Sequence, residues 1–316
     1  EGEAHALHTR GFHNFIIGSL FVWRKKRSDI IIYREAYVQV GRQNGKSFLA
    51  GTLANDFATF GGYQYGRIFC TATKQDQANI VWDEVAKFIQ SDKDLAELYK
   101  IKTYDRTITS KVTGTTIKAI GRDTKSADGF RTILAIVDEY HAHPTNQMYK
   151  LMMDGQDMVK NALTIAITTA GFNLKSPCYE QYQFCKKVLE GVVQKDNLFV
   201  YIAELDEADD IWKKENWAKA NPLKLFLPDE VTLDNEKLAV VANKAIDAKE
   251  KQGEELVNFE TKTLNQWVTY TGGALLDMAA WQAGGKPWTV ADMKGREGYL
   301  GMELSSGGDL TSISIV

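Results

Sequence analysis

The residues able to do chemistry fall into two groups. The first is Gly45-Lys46-Ser47, preceded by the apolar stretch Ala36 to Val40 and the loop Gly41-Arg42-Gln43-Asn44. A glycine-rich turn that opens a helix aims backbone N–H groups and the positive end of the helix dipole at one point, so it can cradle phosphate. Lysine at that place reaches β- and γ-phosphate oxygens, and the serine hydroxyl can ligate Mg2+. The usual spacing is GxxxxGK[ST]; here Val40 occupies the position of the leading glycine, which is either absent or moved to Gly41. The second group is Asp138-Glu139, which ends the apolar run Ile133 to Val137. The first carboxylate can hold the Mg2+ shell, and the second can orient or deprotonate an attacking water. A phosphate loop followed by an Asp-Glu strand is the order of a P-loop ATPase.

Such residues need a sheet to hold them. Ala36 to Val40 reads as a strand leading into the loop, and Phe48 to Phe60 as a helix with an apolar face. Arg67 to Ala72 is a second strand. Ala78, Val81, Trp82, Val85, Phe88 and Ile89 recur at helical spacing and mark a helix with one buried face. Thr107 to Ser110 and Thr115 to Ile120 alternate like a hairpin. Two further apolar strands, Ile133 to Val137 and Leu163 to Thr168, flank a helical stretch around Met148 to Met158. Continuous apolar strands alternating with helices predict an α/β fold with a parallel-rich sheet covered on both faces.

Composition narrows the class. The 316 residues are 44% hydrophobic and 25% charged, which suits about two globular domains. The net charge of −3 hides a division: residues 190–265 carry 17 acidic side chains against 10 lysines, leaving the rest of the chain at +4. Three cysteines without paired spacing predict a reducing compartment and no thiolate zinc site. The best apolar run, Phe12 to Trp23, falls short of a membrane span and precedes the basic Arg24-Lys25-Lys26-Arg27, the reverse of a secretory signal. No membrane partner is expected. His141 and His143 have a ligand spacing, but with no cysteine or third histidine nearby they read as loop-shaping residues.

The stretch Tyr37 to Ser47 resembles the arginine-containing P-loop of the large terminase subunits of tailed bacteriophages, ATPase-nuclease motors that package DNA. Other stretches are similar in the same order. Phe15 to Trp23 looks like the segment that helps enclose adenine; His13 stands near where the family often carries a glutamine. Cys70 to Lys74 with Asp76-Gln77-Ala78 looks like the next strand-to-helix signature. Val137 to His143 resembles the Asp-Glu strand, Ile167 to Gly171 the coupling motif, and Asn258-Phe259 through Trp267 the helix leading to the nuclease.

The resemblance implies an additional-strand P-loop ATPase with a small helical lid and the start of an RNase H-like nuclease. Its implied ATP-binding residues are Gly41, Arg42, Gln43, Asn44, Gly45, Lys46 and Ser47, with Arg42 facing the phosphates, Asp138 and Ser47 holding Mg2+, and Glu139 catalytic. Thr168, Thr169 and Ala170 would couple hydrolysis to the rest of the domain. A trans-acting arginine is expected in the loop before the Asp-Glu strand, Arg131 being favoured over Arg122. Tyr299 to Thr311 resembles the first strand and turn of the nuclease, with Glu303, where the family has Asp, and Asp309 as ligands for Mg2+ or Mn2+.

The expected division is 1–190 ATPase, 191–296 a partly helical, acidic lid that can include the last ATPase strand near 198–203, and 297–316 nuclease. Because the sequence ends inside a strand, the remaining nuclease carboxylates are expected further along a longer chain, and this piece is expected not to cut DNA. Double-stranded DNA, a portal protein and a small terminase subunit are the implied partners, with a homo-oligomeric ring on the procapsid in the host cytoplasm. The alternatives are another nucleic-acid-translocating ATPase, such as a helicase or remodeller, or a non-hydrolysing nucleotide-binding capsid-assembly scaffold.

Overall fold

The computed structural model describes residues 9–121 and 131–269 and, beyond them, only 283, 285, 289, 292, 294–295, 297–303 and 312–315. Its elements in order are α1 (Gly11–Val22), β1 (Glu35–Gln39), α2 (Lys46–Thr59), β2 (Arg67–Ala72), α3 (Gln75–Gln90), α4 (Lys93–Glu97), β3 (Tyr99–Lys102), β4 (Thr107–Ser110) and β5 (Thr116–Gly121). Then follow β6 (Thr132–Asp138), α5 (Gln147–Asp154), β7 (Leu163–Thr168), α6 (Pro177–Leu189), β8 (Leu198–Ile202), α7 (Asn235–Lys251) and α8 (Gly253–Asn258).

Eight strands form one sheet in the order β3-β4-β5-β2-β6-β7-β1-β8. The pairings of β5-β2-β6-β7-β1-β8 are parallel; β3-β4 and β4-β5 are antiparallel. Every residue of β1 and β7 is buried, as their unbroken apolar runs require for strands covered on both faces. On one face α1, α2 and α3 pack Leu20, Leu53, Trp82 and Val85 against Val38, Ile136 and Ile165. On the other, α6 brings Cys178, Tyr182 and Cys185 against Tyr37, Val137 and Ala166. All three cysteines are buried and free.

The topology puts β7 between β1 and β6. The register pairs Gln39 with Thr168 and Asp138 with Ile167, so three strands end level at the carboxyl edge of the sheet. The helix expected around Met148 to Met158 runs only from Gln147 to Asp154 and stops at Gly155.

Residues after β8 build a small hydrophobic core of their own, in which Trp217, Leu225, Val241 and Phe259 are buried with Leu205 and Leu264. The stretch after α8 is a π-helical turn, Phe259–Thr263. By contacts the chain divides into a unit of residues 1–270 and one of 271–316. In the second, β9 (Leu300–Glu303) and β10 (Ser312–Ile315) pair antiparallel, with Glu303 opposite Ser312. No helix among the described residues is long and apolar enough to cross a membrane.

Candidate nucleotide site

The phosphate loop leaves β1 under tight control. The Val40 N–H donates to the Thr168 carbonyl at 3.1 Å, tying the loop's first residue to the end of β7. Gly45 is the N-cap of α2 in the left-handed region (φ 73°), and no side chain caps the helix. The first N–H groups of α2 therefore point outward unsatisfied, together with the helix dipole. Gly45 has no substitute here, because a Cβ would sit 2.7 Å from Nε2 of His13. His13, on α1, is 2% exposed and its Nε2, near the Gly45 backbone, has no aligned hydrogen-bond partner.

Asn44 organises the rest of the loop. It is fully buried, and its Nδ2 donates to the carbonyls of Gly41 (3.1 Å) and Arg42 (3.2 Å) and to Oδ1 of Asn221 (3.1 Å). Its Oδ1 accepts the N–H groups of Leu223 and Lys224. One side chain thus ties the phosphate loop to the lid. Arg42 and Gln43 are exposed at the loop's apex, Ser47 is exposed on the first turn of α2, and the Arg42 N–H donates to the Lys262 carbonyl. Lys46 folds back so that Nζ donates to the Val40 and Gly41 carbonyls at 3.4 and 3.3 Å. Burial lowers its pKa, and the charges of Glu139 and Asp138 oppose that shift.

Asp138 ends β6, and Glu139 follows with a left-handed backbone (φ 46°) that turns the chain into one tight turn, Tyr140–Ala142. Such a conformation is uncommon for a residue other than glycine and clusters at functional sites. Burial, with the neighbouring Glu139 charge, pushes the Asp138 carboxyl up to about 7. Burial would raise Glu139 too, but His141, Lys46 and Arg42 together outweigh it and hold that carboxyl below its ordinary value.

Sequence reasoning did not anticipate the part played by His141. Its Nδ1 lies 3.1 Å from Oε2 of Glu139 and 3.1 Å from Oγ1 of Thr168, and its backbone N–H donates to the same Oγ1 at 3.0 Å. Thr168 Oγ1 donates to the Thr169 carbonyl, so it receives from the histidine, which assigns the ring proton to Nδ1. Oε2 of Glu139 is buried and has no aligned hydrogen-bond partner. His143 lies behind the site, with Nε2 3.1 Å from the Asp138 carbonyl.

The other missed residue is Asn265. Its Oδ1 accepts the Ala170 N–H at 2.8 Å and its Nδ2 donates to the Ala203 carbonyl at 2.6 Å, so it joins the ends of β7 and β8 to the segment that leaves the lid. An isolated asparagine has no spacing signal, and only the strand order shows what it connects. Thr168, Thr169 and Ala170 are all buried at this junction.

The structure does not gather every candidate. Arg131 is exposed immediately before β6, at the strand end opposite Asp138. Seven residues of extended chain put it about 23 Å from that carboxylate. Arg122 and Asp309 lie outside the described residues, and Glu303 is placed only as the last residue of β9.

Comparison with known proteins identifies the family. Residues 11–187 match the family model for the terminase large subunit, ATPase domain. Residues 192–316 match the one for the terminase large subunit, endonuclease domain. The chain is 32% identical over 193 residues to protein YmfN of Escherichia coli K12, covering 60% of this chain and 40% of that protein. It is 26% identical to the terminase large subunit of Enterobacteria phage HK97, over 89% of this chain and 53% of the relative. It therefore spans about half the length of the curated relatives it matches. The crystal structure of the HK97 large terminase superposes with a TM-score of 0.68 at 22% identity, covering 98% of this chain and 60% of the other. The large terminase of a thermophilic bacteriophage, in complex with ADP, gives a TM-score of 0.52 at 12% identity, over 95% and 63% of the two chains. With an ATPase-domain match that spans more than half its length, this chain belongs to the terminase large subunit family.

Proposed function

We propose that this chain is the motor part of a viral genome-packaging terminase. Hydrolysis of Mg-ATP at the carboxyl edge of β1, β7 and β6 drives double-stranded DNA into a procapsid, and the full-length protein cuts concatemeric DNA with its nuclease. One juxtaposition carries the reading. The phosphate loop and Asp138-Glu139 flank a strand whose terminal Thr168 shares His141 with Glu139.

The residues suit a magnesium nucleotide. The uncapped start of α2 offers N–H groups, Ser47 and Asp138 offer a hydroxyl and a carboxylate to hold Mg2+, and a buried Glu139 oxygen is left for a further donor. When bound there, Mg2+ neutralises phosphate charge. Gly41, Arg42, Gln43, Asn44, Gly45, Lys46 and Ser47 wrap the phosphates. Lys46 exchanges two loop carbonyls for phosphate oxygens, and Arg42 turns toward the same charge. Glu139 orients the attacking water and accepts its proton at Oε2, the oxygen with no aligned donor. Thr168, Thr169 and Ala170 register the loss of the γ-phosphate, and Asn265 passes the change to the lid.

In this reading residues 1–190 with β8 are the ATPase, the rest of 191–296 is the lid with its separate core, and 297–316 are the first nuclease strand and turn. Glu303 and Asp309 would serve Mg2+ or Mn2+ there. The chain assembles as a ring on a portal protein, recruits a small terminase subunit and works in the host cytoplasm. Arg131, distant from its own Asp138, supplies the trans cation to a neighbour, with Arg122 as the second candidate. The decisive experiment compares ATP hydrolysis by wild type and Glu139→Gln. Loss of the carboxylate should lower kcat by about 100-fold or more. Equal turnover would overturn the motor reading in favour of a nucleotide-binding scaffold.

A further inference from the structure

On the lid side of the phosphate loop lies a second concavity of 340 Å3, whose lining includes Arg42, Lys224, Lys244, Lys262, Asp247 and Glu255. Four cations converge here against two carboxylates, and three of them, Lys224, Lys244 and Lys262, belong to the segment whose overall charge is strongly negative. The acids do not cancel them. Asp247 is engaged by Lys251 at 3.0 Å, and the side chains of Arg42, Lys224 and Lys244 make no hydrogen bond or ion pair among the described residues. Only Lys262 has a partner for its ammonium, Oδ1 of Asn258.

The backbone at three of these cations is tied down. The Lys224 N–H donates to Oδ1 of Asn44 at 3.0 Å, and the Lys262 carbonyl receives the Arg42 N–H at 2.9 Å. Two lid positions are therefore fixed to the phosphate loop itself. Burial, with the adjacent Lys244 charge, pushes the Lys224 amine down to about 8. Unpaired like charges held together repel, and a bound anion relieves the repulsion.

We propose that this cavity is a second phosphate-group site, separate from the cradle at Gly41–Ser47, which takes a compact phosphate dianion. Lys46 and Ser47 do not line it, and Arg42 and Gln43 are the wall it shares with the cradle. Asp247 and Glu255 in its lining repel a continuous polyanion more than one small ion that the four cations can surround. Free phosphate and a DNA backbone offer the same chemical group, and the two sources are separable by experiment.

The test titrates inorganic phosphate into the chain at pH 7 and constant ionic strength, following heat. It needs no turnover, so its outcome is independent of the Glu139→Gln comparison. Lys46→Ala should impair the cradle and leave phosphate binding detectable. Adding Lys224→Gln and Lys244→Gln should weaken that binding about 10-fold or more, since each removes a charge-assisted contact. Arginine at both positions should keep it, which separates lost charge from lost fold. Phosphate affinity unchanged in the double glutamine variant, or absent once Lys46 is replaced, would overturn the proposal. A second arm measures anisotropy of a labelled short duplex. Its affinity should be the same with and without the two lysines; a loss confined to duplex binding would assign the cations to DNA and also overturn the site.

Discussion

Nδ1 of His141 lies 3.1 Å from Oε2 of Glu139. The same nitrogen reaches Oγ1 of Thr168 on the neighbouring strand, so the position of the candidate base and the end of β7 depend on one ring. Oε2 thereby keeps its negative charge without being fully occupied by a donor.

Replacing this ring should disturb turnover more than binding. His141→Phe should lower kcat for ATP about 10- to 100-fold, with KM changed by less than a few-fold, because the proposed phosphate-binding residues lie in the loop after β1 and at the start of α2. His141→Asn, which keeps a donor near Nδ1, should recover part of the loss. Equal effects on kcat and KM in steady-state hydrolysis would show that His141 holds the loop's fold and does not position Glu139.

Asn44 makes five hydrogen bonds from a fully buried side chain. Alanine there strands Oδ1 of Asn221 and two lid N–H groups, at a cost of about 2–4 kcal/mol. The thermal midpoint should fall by roughly 5–10 °C. Asn221→Ala should cost a similar amount, and the double variant less than the sum, because both remove one network. Strict additivity would refute the shared network.

Gly45 and Gly18 form a matched pair. Gly45→Ala introduces a Cβ against His13 at a positive φ and should destabilise by about 1–3 kcal/mol while weakening nucleotide binding. Gly18 sits inside α1 with nothing within 4 Å of an added Cβ, so Gly18→Ala should stabilise by about 0.5–1 kcal/mol. Chemical denaturation of both variants compares them directly. A stabilised Gly45→Ala would contradict the left-handed turn.

The sequence was most legible where a residue's type alone limits its use. Lys46 after Gly45 and the paired carboxylates Asp138-Glu139 stand out as candidates by their identity, and the apolar runs before them form strands buried on both faces. The hairpin of β4 and β5 was equally readable, because alternation along each strand is local. What local patterns do not encode is which strand ends stand side by side. His141, Asn221 and Asn265 look like ordinary loop residues until β7 is seated between β1 and β6 and residues 221–224 bond the Asn44 side chain. Arg42 illustrates the same limit. Its place in the loop was evident, but its exposure toward the lid lysines depends on residues nearly two hundred positions away.

His13 should make stability depend on pH. Burial lowers its pKa from the ordinary 6.5, with Arg10 adding to that shift and the Gly45 backbone and the Glu230 charge opposing it. The folded protein therefore favours the neutral ring, while the unfolded chain takes a proton near 6.5. Below 6.5 the unfolded state binds more protons, so stability falls as pH drops toward the lowered folded value and is level above 6.5. Asp138 works in the opposite direction. With a folded value of about 7, it is the folded state that retains the proton, and stability falls as pH rises from about 4 toward 7. The two slopes overlap, so the wild-type profile alone does not separate them. Measured without metal or nucleotide, the difference in midpoint between wild type and His13→Gln should move against the wild type as pH is lowered from 7.5 to 5.5. A difference that stays constant over that range would show that the ring is not held neutral against the phosphate loop.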